Sequence, residues 1–493
     1  MPYYLGIDLG TTGLKTIVTD GQGAIWGSAY QGYPLHTPRQ SYAEQDPEDW
    51  YHALTTTVRQ VLADTGIDHR DIAGIGLSGQ MHGTVLLDDR MKLLGPAIIW
   101  CDQRSKDEVA LVYRQFSAME LSTLVQNPVA TGFQLSSLLW LRENDLSTYQ
   151  RIRHVLLPKD YLRFRLTGTI GTEPSDACGT LLYDVINQVW SHEILRHFGI
   201  DERILPDPDH RSCEIAGTLT TTAARELGLG RETCVVFGGG DQPMQAVGNG
   251  ILTDGRALLT LGTGGQVFVP TGKPLPDPGL RFHTFCHAQA NSWYYLGAVL
   301  NAGLALNWAL KHCFNLSDFG KVGEIAAKSP AGSRGLFFLP YISGERTPHM
   351  NPDAKGIFWG LSLGHSREDL IRAVMEGISY SLWDAYECLV SVSGKPRSLI
   401  VTGGGANSRL WRQILADMLD APIFTTDSKE TACLGAAICA MVAGGEYPDL
   451  VTACTGIIKV NSEPLAPIRE NTEVYAEGHA LFQDIYRANR HLF

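Results

Sequence analysis

The ten cysteines of this sequence include no C-x-x-C pair, and the two nearest each other are Cys433 and Cys439. That spread excludes a zinc site built on paired cysteines and a disulfide frame; it predicts reduced thiols in a cytoplasmic protein. No run approaches about 18 uninterrupted apolar residues, so no membrane span is predicted. The opening Met1-Pro2-Tyr3-Tyr4-Leu5 lacks a basic n-region and a sustained apolar stretch, so no signal peptide is expected. Basic stripes are missing as well. With a net charge of −12, nucleic acid and anionic membranes are poor partners.

Several chemical signatures are also absent. No G-x-x-x-x-G-K-[ST] string occurs, which excludes a P-loop. His69-Arg70-Asp71 and Asp318-Phe319-Gly320 mimic protein-kinase motifs, but Gly76 stands where a catalytic-loop Asn belongs and the strings lie too far apart. His192 and His197 would lie about 140° apart on a helix, so His192-Glu193 does not start a zinc-binding H-E-x-x-H.

What is present is a long, ordinary globular composition. At 493 residues the chain exceeds one core, and its 44% hydrophobic and 19% charged content is typical of soluble proteins. Strand and helix patterns alternate, which predicts an α/β fold. Asp46 can cap a helix with Pro47 in its first position, and Trp50, Leu54, Val58, Val61 and Leu62 form one apolar face. Ile72 to Leu77 and Thr84 to Leu87 read as strands joined by Ser78-Gly79-Gln80-Met81-His82-Gly83, and Cys234 to Phe237 reads as a short buried strand. Ser366 can cap a helix carrying Leu370, Val374, Ile378 and Leu382; Ser398 to Val401 predicts a strand, with a helix following through Trp411, Leu415 and Leu419.

One pattern occurs twice. Gly6-Ile7-Asp8-Leu9-Gly10-Thr11-Thr12-Gly13 returns as Leu259-Thr260-Leu261-Gly262-Thr263-Gly264-Gly265. In each, an apolar strand enters a Gly/Thr turn and leaves as a second strand. Such turns suit phosphate, because glycine lets backbone N–H groups approach an anion and threonine adds donors. The repeat predicts two related α/β domains, residues 1–247 and 248–493, with a cleft between them.

Four further places carry chemistry. Asp8 ends a strand before the first turn and reads either as a Mg²⁺ ligand beside phosphate or as a turn aspartate bonding its own backbone. Asp241 follows Gly238-Gly239-Gly240 at a strand's carboxyl end, where it suits a general base for phosphoryl transfer or an N-cap for a helix starting near Pro243. Gly403-Gly404-Gly405 with Asn407 suits a nucleoside lying against backbone, or a plain tight turn; Ser408 excludes a dinucleotide fingerprint. Gln80, Met81 and His82 suit a sugar, with polar groups for hydroxyls and an apolar wall, or form a packing turn.

These strings resemble those of the FGGY carbohydrate kinases, within the superfamily of actin, hexokinase and the heat-shock-chaperone ATPases. The resemblance covers essentially the whole chain. It rests on both Gly/Thr hairpins, on Gly403 to Asn407, and on Gly356-Ile357-Phe358-Trp359-Gly360-Leu361 continuing through Asp369-Leu370 to Ala373-Val374-Met375-Glu376. Ser78 to Gly83, Leu157 to Leu162, Gly238 to Asp241 and Leu339 to His349 are most similar to the xylulokinase branch. The resemblance implies two ribonuclease-H-like domains, with the sugar bound mainly by the first and ATP by the second.

By that resemblance, Asp241 is the base toward the sugar's terminal hydroxyl, and Asp8 organises Mg²⁺, with Asp241 as the second carboxylate near the metal. Met81, His82, Gln80 and Gln242 meet the sugar. Thr11, Thr12, Gly262 and Thr263 cradle phosphate, while Gly404, Gly405 and Asn407 meet the nucleoside. The implied reaction is ATP-dependent phosphorylation of D-xylulose. The expected partners are a small sugar and ATP, with a homodimer as the assembly. Gln242, where the branch commonly has Asn, and the bulky Pro243-Met244-Gln245 leave another ketose, a polyol or a sugar acid open. Ser136-Ser137 replace a usual lysine before Leu138-Leu139-Trp140, away from the chemistry. A non-catalytic ATP-gated binding protein is the alternative from another class.

Overall fold

Hydrogen-bond registers divide the main strands between two sheets of closely related topology in the computed structural model, which describes residues 2–316 and 319–493. Asp318 of the kinase-like string lies outside the described residues. The first sheet contains β1 (Tyr3–Leu9), β2 (Gly13–Asp20), β3 (Ile25–Gly32), β4 (Ile72–Gly79), β5 (Ile215–Thr218), β6 (Cys234–Val236) and β7 (Gly239–Gly240), in the order β5-β6-β4-β1-β2-β3 with β7 also paired to β4. The second holds β8 (Arg256–Leu261), β9 (Gly265–Thr271), β10 (His283–Cys286), β11 (Trp293–Val299), β12 (Ser398–Thr402) and β13 (Ile423–Phe424), in the order β10-β11-β9-β8-β12-β13.

The repeated motif is the seed of both. β1 and β2 form an antiparallel hairpin, with β4 parallel on the other side of β1. β8 and β9 repeat the hairpin, with β12 parallel to β8. Each Gly/Thr turn therefore stands at the carboxyl edge of a parallel pair, where open α/β folds bind ligands.

Helices close the faces. α1 (Pro47–Thr65) starts as its sequence dictates: the Asp46 carboxylate accepts from Glu48 N at 2.9 Å, with Pro47 in the first turn. Trp50, Leu54, Val58 and Val61 are fully buried, each burial worth about 1.5–3 kcal/mol, and Leu62 is half-buried. α2 (Asp241–Val247) follows β7 directly. In the second half, α3 (Arg367–Ser393) opens with a capping box between Ser366 and Asp369 and buries Val374, Ile378 and Leu382. α4 (Arg409–Leu419) is capped by Ser408.

One helix crosses between the halves. α5 (Thr431–Ala443) is buried without interruption from Cys433 to Met441 and packs on β1, β4 and α2, so it covers the first sheet although it follows the second. Its approach depends on Gly6 and Gly76, which are in-register neighbours on β1 and β4. A Cβ on Gly6 would stand 1.9 Å from the Cys433 carbonyl oxygen, and one on Gly76 1.8 Å from that of Ala436. Glycine at both positions forms a trough for the helix backbone. α6 (Leu450–Ile457) packs against α5, and α7 (Arg469–Asn489) against α4.

Candidate active site

Three strands of the first sheet end side by side. Asp8 of β1 is in register with Ser78 of β4, which is in register with Gly239 of β7; Gly79 pairs with Gly240. Asp8 and Asp241 thus flank the end of β4, which continues into Gln80, Met81 and His82. Both aspartates are half-buried. The Ser78 hydroxyl donates to Asp8 Oδ1 at 2.7 Å. Burial pushes the Asp8 carboxyl up, against the pull of that bond and of Lys15. Lys15 is engaged elsewhere, by Glu430 at 2.8 Å.

Asp241 is the more perturbed group. Burial, then the charge of Asp8, raises its carboxyl to about 7, with hydrogen bonds from Gln242 acting the other way. Its helix begins at Asp241 itself with Gly240 as the N-cap, so the N-cap reading of Asp241 is corrected. The glycine-closed strand end leaves no residue between β7 and the helix, and Asp241 becomes its first turn. Two carboxylates flanking one strand end, with Asp8 Oδ2 accepting no hydrogen bond among the described residues, form a donor set suited to a hard ion such as Mg²⁺.

The turn after β4 is built by side chains from several elements. His82 Nδ1 lies 2.7 Å from the Gly179 carbonyl oxygen, which can only accept. Nδ1 therefore carries the proton and Nε2 remains an acceptor for a hydroxyl donor. Burial pulls the imidazole down to about 4, assisted by the Arg346 charge, so the ring is neutral near pH 7. The ring stacks on Phe133 at 3.8 Å between centroids. Met81 is buried beside it. Gln80 sits deeper than a sugar contact requires: it is 2% exposed and its Nε2 donates to Gln45 Oε1 at 2.9 Å, leaving its own Oε1 without a partner. Gln45 in turn donates to the Thr11 carbonyl at 2.7 Å, which ties the turn after β4 to the first hairpin.

Behind these strand ends lies a buried charge cluster that no periodicity announces. Lys159 Nζ approaches Asp160, Glu173 and Asp176 at 2.7, 3.5 and 3.4 Å, and all four residues are at most 1% exposed. Ser175 donates to Glu173 and receives the Gly240 N–H at 3.4 Å, so the cluster touches the backbone just before Asp241. Arg346 and His283 also escaped the sequence reading. The Arg346 charge acts on His82, across the two halves, and on His283 within its own half.

The second hairpin opens onto a cavity of about 1110 Å³, with Gly262, Thr263, Gly404, Gly405 and Asn407 in its lining. Gly303, Asn307, Val322 and Trp411 are also among its lining residues. Thr11 and Thr12 are not among its lining residues. Their hairpin is braced instead by Trp100, whose Nε1 donates to Thr11 Oγ1 at 2.8 Å, and by Tyr30, whose hydroxyl donates to the Thr12 carbonyl at 3.1 Å.

The chain is 35% identical to a xylulose kinase of Staphylococcus epidermidis over 99% of its own length and 97% of the relative's. The solved ligand-bound xylulose kinase of Lactobacillus acidophilus superposes with a TM-score of 0.95 at 28% identity, covering 99% of both chains. A gluconate kinase from the same organism superposes almost equally, with a TM-score of 0.94 at 28% identity over 99% of this chain and 98% of that one. The N-terminal domain of the FGGY family of carbohydrate kinases matches residues 3–248, and its C-terminal domain matches residues 257–444. Two matched domains and the repeated hairpin agree: this chain belongs to the FGGY family of carbohydrate kinases, ATP-using phosphotransferases.

Proposed function

We propose that the enzyme transfers the γ-phosphoryl group of ATP to the terminal hydroxyl of D-xylulose. The observation that carries this reading is the pairing of Asp8 and Asp241 at one strand edge, beside the neutral His82. The xylulose kinase relatives supply the sugar. Asp241 is the general base: it takes the hydroxyl proton as the oxygen attacks the γ-phosphorus, and ADP leaves with the bonding electrons. A carboxyl held near 7 is well matched to that task at neutral pH. Met81 and Gln242 flank the sugar, and His82 Nε2 accepts from one of its hydroxyls. Gln80 acts by holding the turn through Gln45.

Asp8 and Asp241 would hold Mg²⁺. When bound, the ion neutralises charge on the transferring phosphate. Thr11, Thr12, Gly262 and Thr263 cradle phosphate, and Gly404, Gly405 and Asn407 meet the nucleoside. The domains are 1–247 and 248–493, which the sorting of strands supports, with α5 reaching back across that boundary. Closure of the halves would exclude water as a competing acceptor.

A cytoplasmic location belongs to the reading, supported by ten unpaired cysteines. Among the described residues no helix is long and apolar enough to cross a membrane. A homodimer is the proposed assembly; edge strand β3 offers Ile25 and Trp26, 39% and 57% exposed, as apolar contact area. Light scattering tests it.

A sugar acid is the second reading, favoured by Gln242 beside the base and by equal likeness to the gluconate kinase. The test is ADP release across pentuloses, polyols and aldonates. A dominant response to D-xylulose supports the first reading; a dominant response to an aldonate replaces it with the second.

A further inference from the structure

β8 and β12 carry the nucleotide cavity at their carboxyl ends, and a second cavity of about 1020 Å³ opens at their opposite ends. Its size is that of a small-molecule site, for which about 300–1000 Å³ is usual. Arg256, Lys395 and Arg397 line one side, with Asp254 as the sole acidic residue in the lining. The Asp254 carboxylate is engaged, accepting from Gly272 N at 3.2 Å. Lys395 is engaged by Asp420, with Nζ 3.2 Å from its carbonyl oxygen and 3.7 Å from its carboxylate Oδ2. Neither guanidinium, of Arg256 or Arg397, has a hydrogen bond or ion pair among the described residues.

Two unpaired guanidinium groups at one recess reverse the sign of a chain whose net charge is −12. Unpaired guanidinium groups favour planar, bidentate recognition of phosphate oxygens. The facing wall differs in character: Val451, Ile458 and Val460 line it from α6 and the segment that follows. Charge on one wall and apolar surface on the other suits a ligand with a phosphate at one end and carbon at the other.

We propose that this rear cleft binds a small organic phosphomonoester, with its phosphate on Arg256 and Arg397 and its carbon skeleton against Val451 and Ile458. A bound ligand would bridge the second sheet to α6, which packs on α5 and through it on the first sheet. The site therefore spans the seam between the halves, at the end remote from the nucleotide, and does not depend on which sugar is the substrate.

The test blocks the active site with saturating sugar and a non-hydrolysable ATP analogue, then titrates glycerol 3-phosphate and ribose 5-phosphate calorimetrically, with inorganic phosphate alongside. The expected result is one site per chain for an organic phosphate, bound more tightly than inorganic phosphate. Arg256→Ser/Arg397→Ser weakens that binding about tenfold or more while leaving basal turnover unchanged. No binding to the blocked enzyme, or equal affinity in the double variant, overturns the proposal. Inorganic phosphate binding as tightly as the esters overturns the assignment of the carbon-binding wall.

Discussion

The Ser78 hydroxyl donates to Asp8 Oδ1 at 2.7 Å, so the strand that leads into the Gln80-Met81-His82 turn also fixes the carboxylate that begins the first Gly/Thr hairpin. Oδ2 accepts no hydrogen bond among the described residues. One oxygen orients the group and the other stays open for a ligand. A hydrogen bond to a charged group contributes about 1.5–3 kcal/mol, so Ser78→Ala is expected to lower kcat/KM for Mg·ATP by about 10- to 100-fold. Steady-state kinetics at fixed sugar check this. An unchanged kcat/KM would remove Ser78 from the account.

The cavity at the second hairpin, where ATP is proposed to bind, gives a complementary substitution. A Cβ on Gly405 would lie 2.7 Å from the Leu261 Cβ, so one wall must shift to admit it. Overpacking of this kind costs about 1–3 kcal/mol. Gly405→Ala is therefore expected to raise KM for ATP by about tenfold, with KM for the sugar unchanged. A rise in the sugar KM alone would contradict the division of labour between the two halves.

Removing Lys159 leaves Asp160, Glu173 and Asp176 buried with too little positive charge. Breaking one partner out of a buried network costs about 3–5 kcal/mol. Lys159→Met is expected to be destabilised by that amount in urea unfolding, and the surviving protein to lose turnover through the Ser175–Gly240 contact. Wild-type stability would show that the cluster is not holding the strand ends.

His287 provides the pH signature. It is buried, its Nε2 donates to the Ile251 carbonyl at 2.9 Å, its Nδ1 accepts from Gln289 N at 3.1 Å, and burial pulls it down to about 4. The unfolded chain takes up this proton near 6.5. The stability linked to the neutral ring is thus complete above about 6.5 and lost as pH falls toward 4, by about 1–3 kcal/mol. His287→Gln cannot titrate there. Its melting temperature is expected to fall less between pH 7 and 5 than that of the unmodified protein.

Local chemistry explains what could be read from the sequence. Asp46-Pro47 and the Ser366 box declare helix starts through backbone donors that need partners, and the structure forms both helices there. The paired Gly/Thr turns declare two hairpins because few other residues allow them. α5 gave no such signal: it is buried all round, so it has no polar face and no amphipathic period. Gly303, Asn307 and Val322, which line the cavity at the second hairpin, and the buried partners of Lys159 meet through long-range packing, which leaves no mark at short spacing. Gln80 shows the opposite case, a correctly located turn whose side chain faces inward to Gln45.

The Asp241 carboxyl is raised by burial and by Asp8, at the point where the proposed mechanism takes the proton from the sugar hydroxyl. The direct measurement is turnover and sugar binding of Asp241→Asn at neutral pH. General-base help is worth about 10²–10⁴-fold, so kcat is expected to fall by that factor while calorimetry still detects the sugar. A folded Asp241→Asn protein that binds sugar and keeps near-normal turnover would contradict the account.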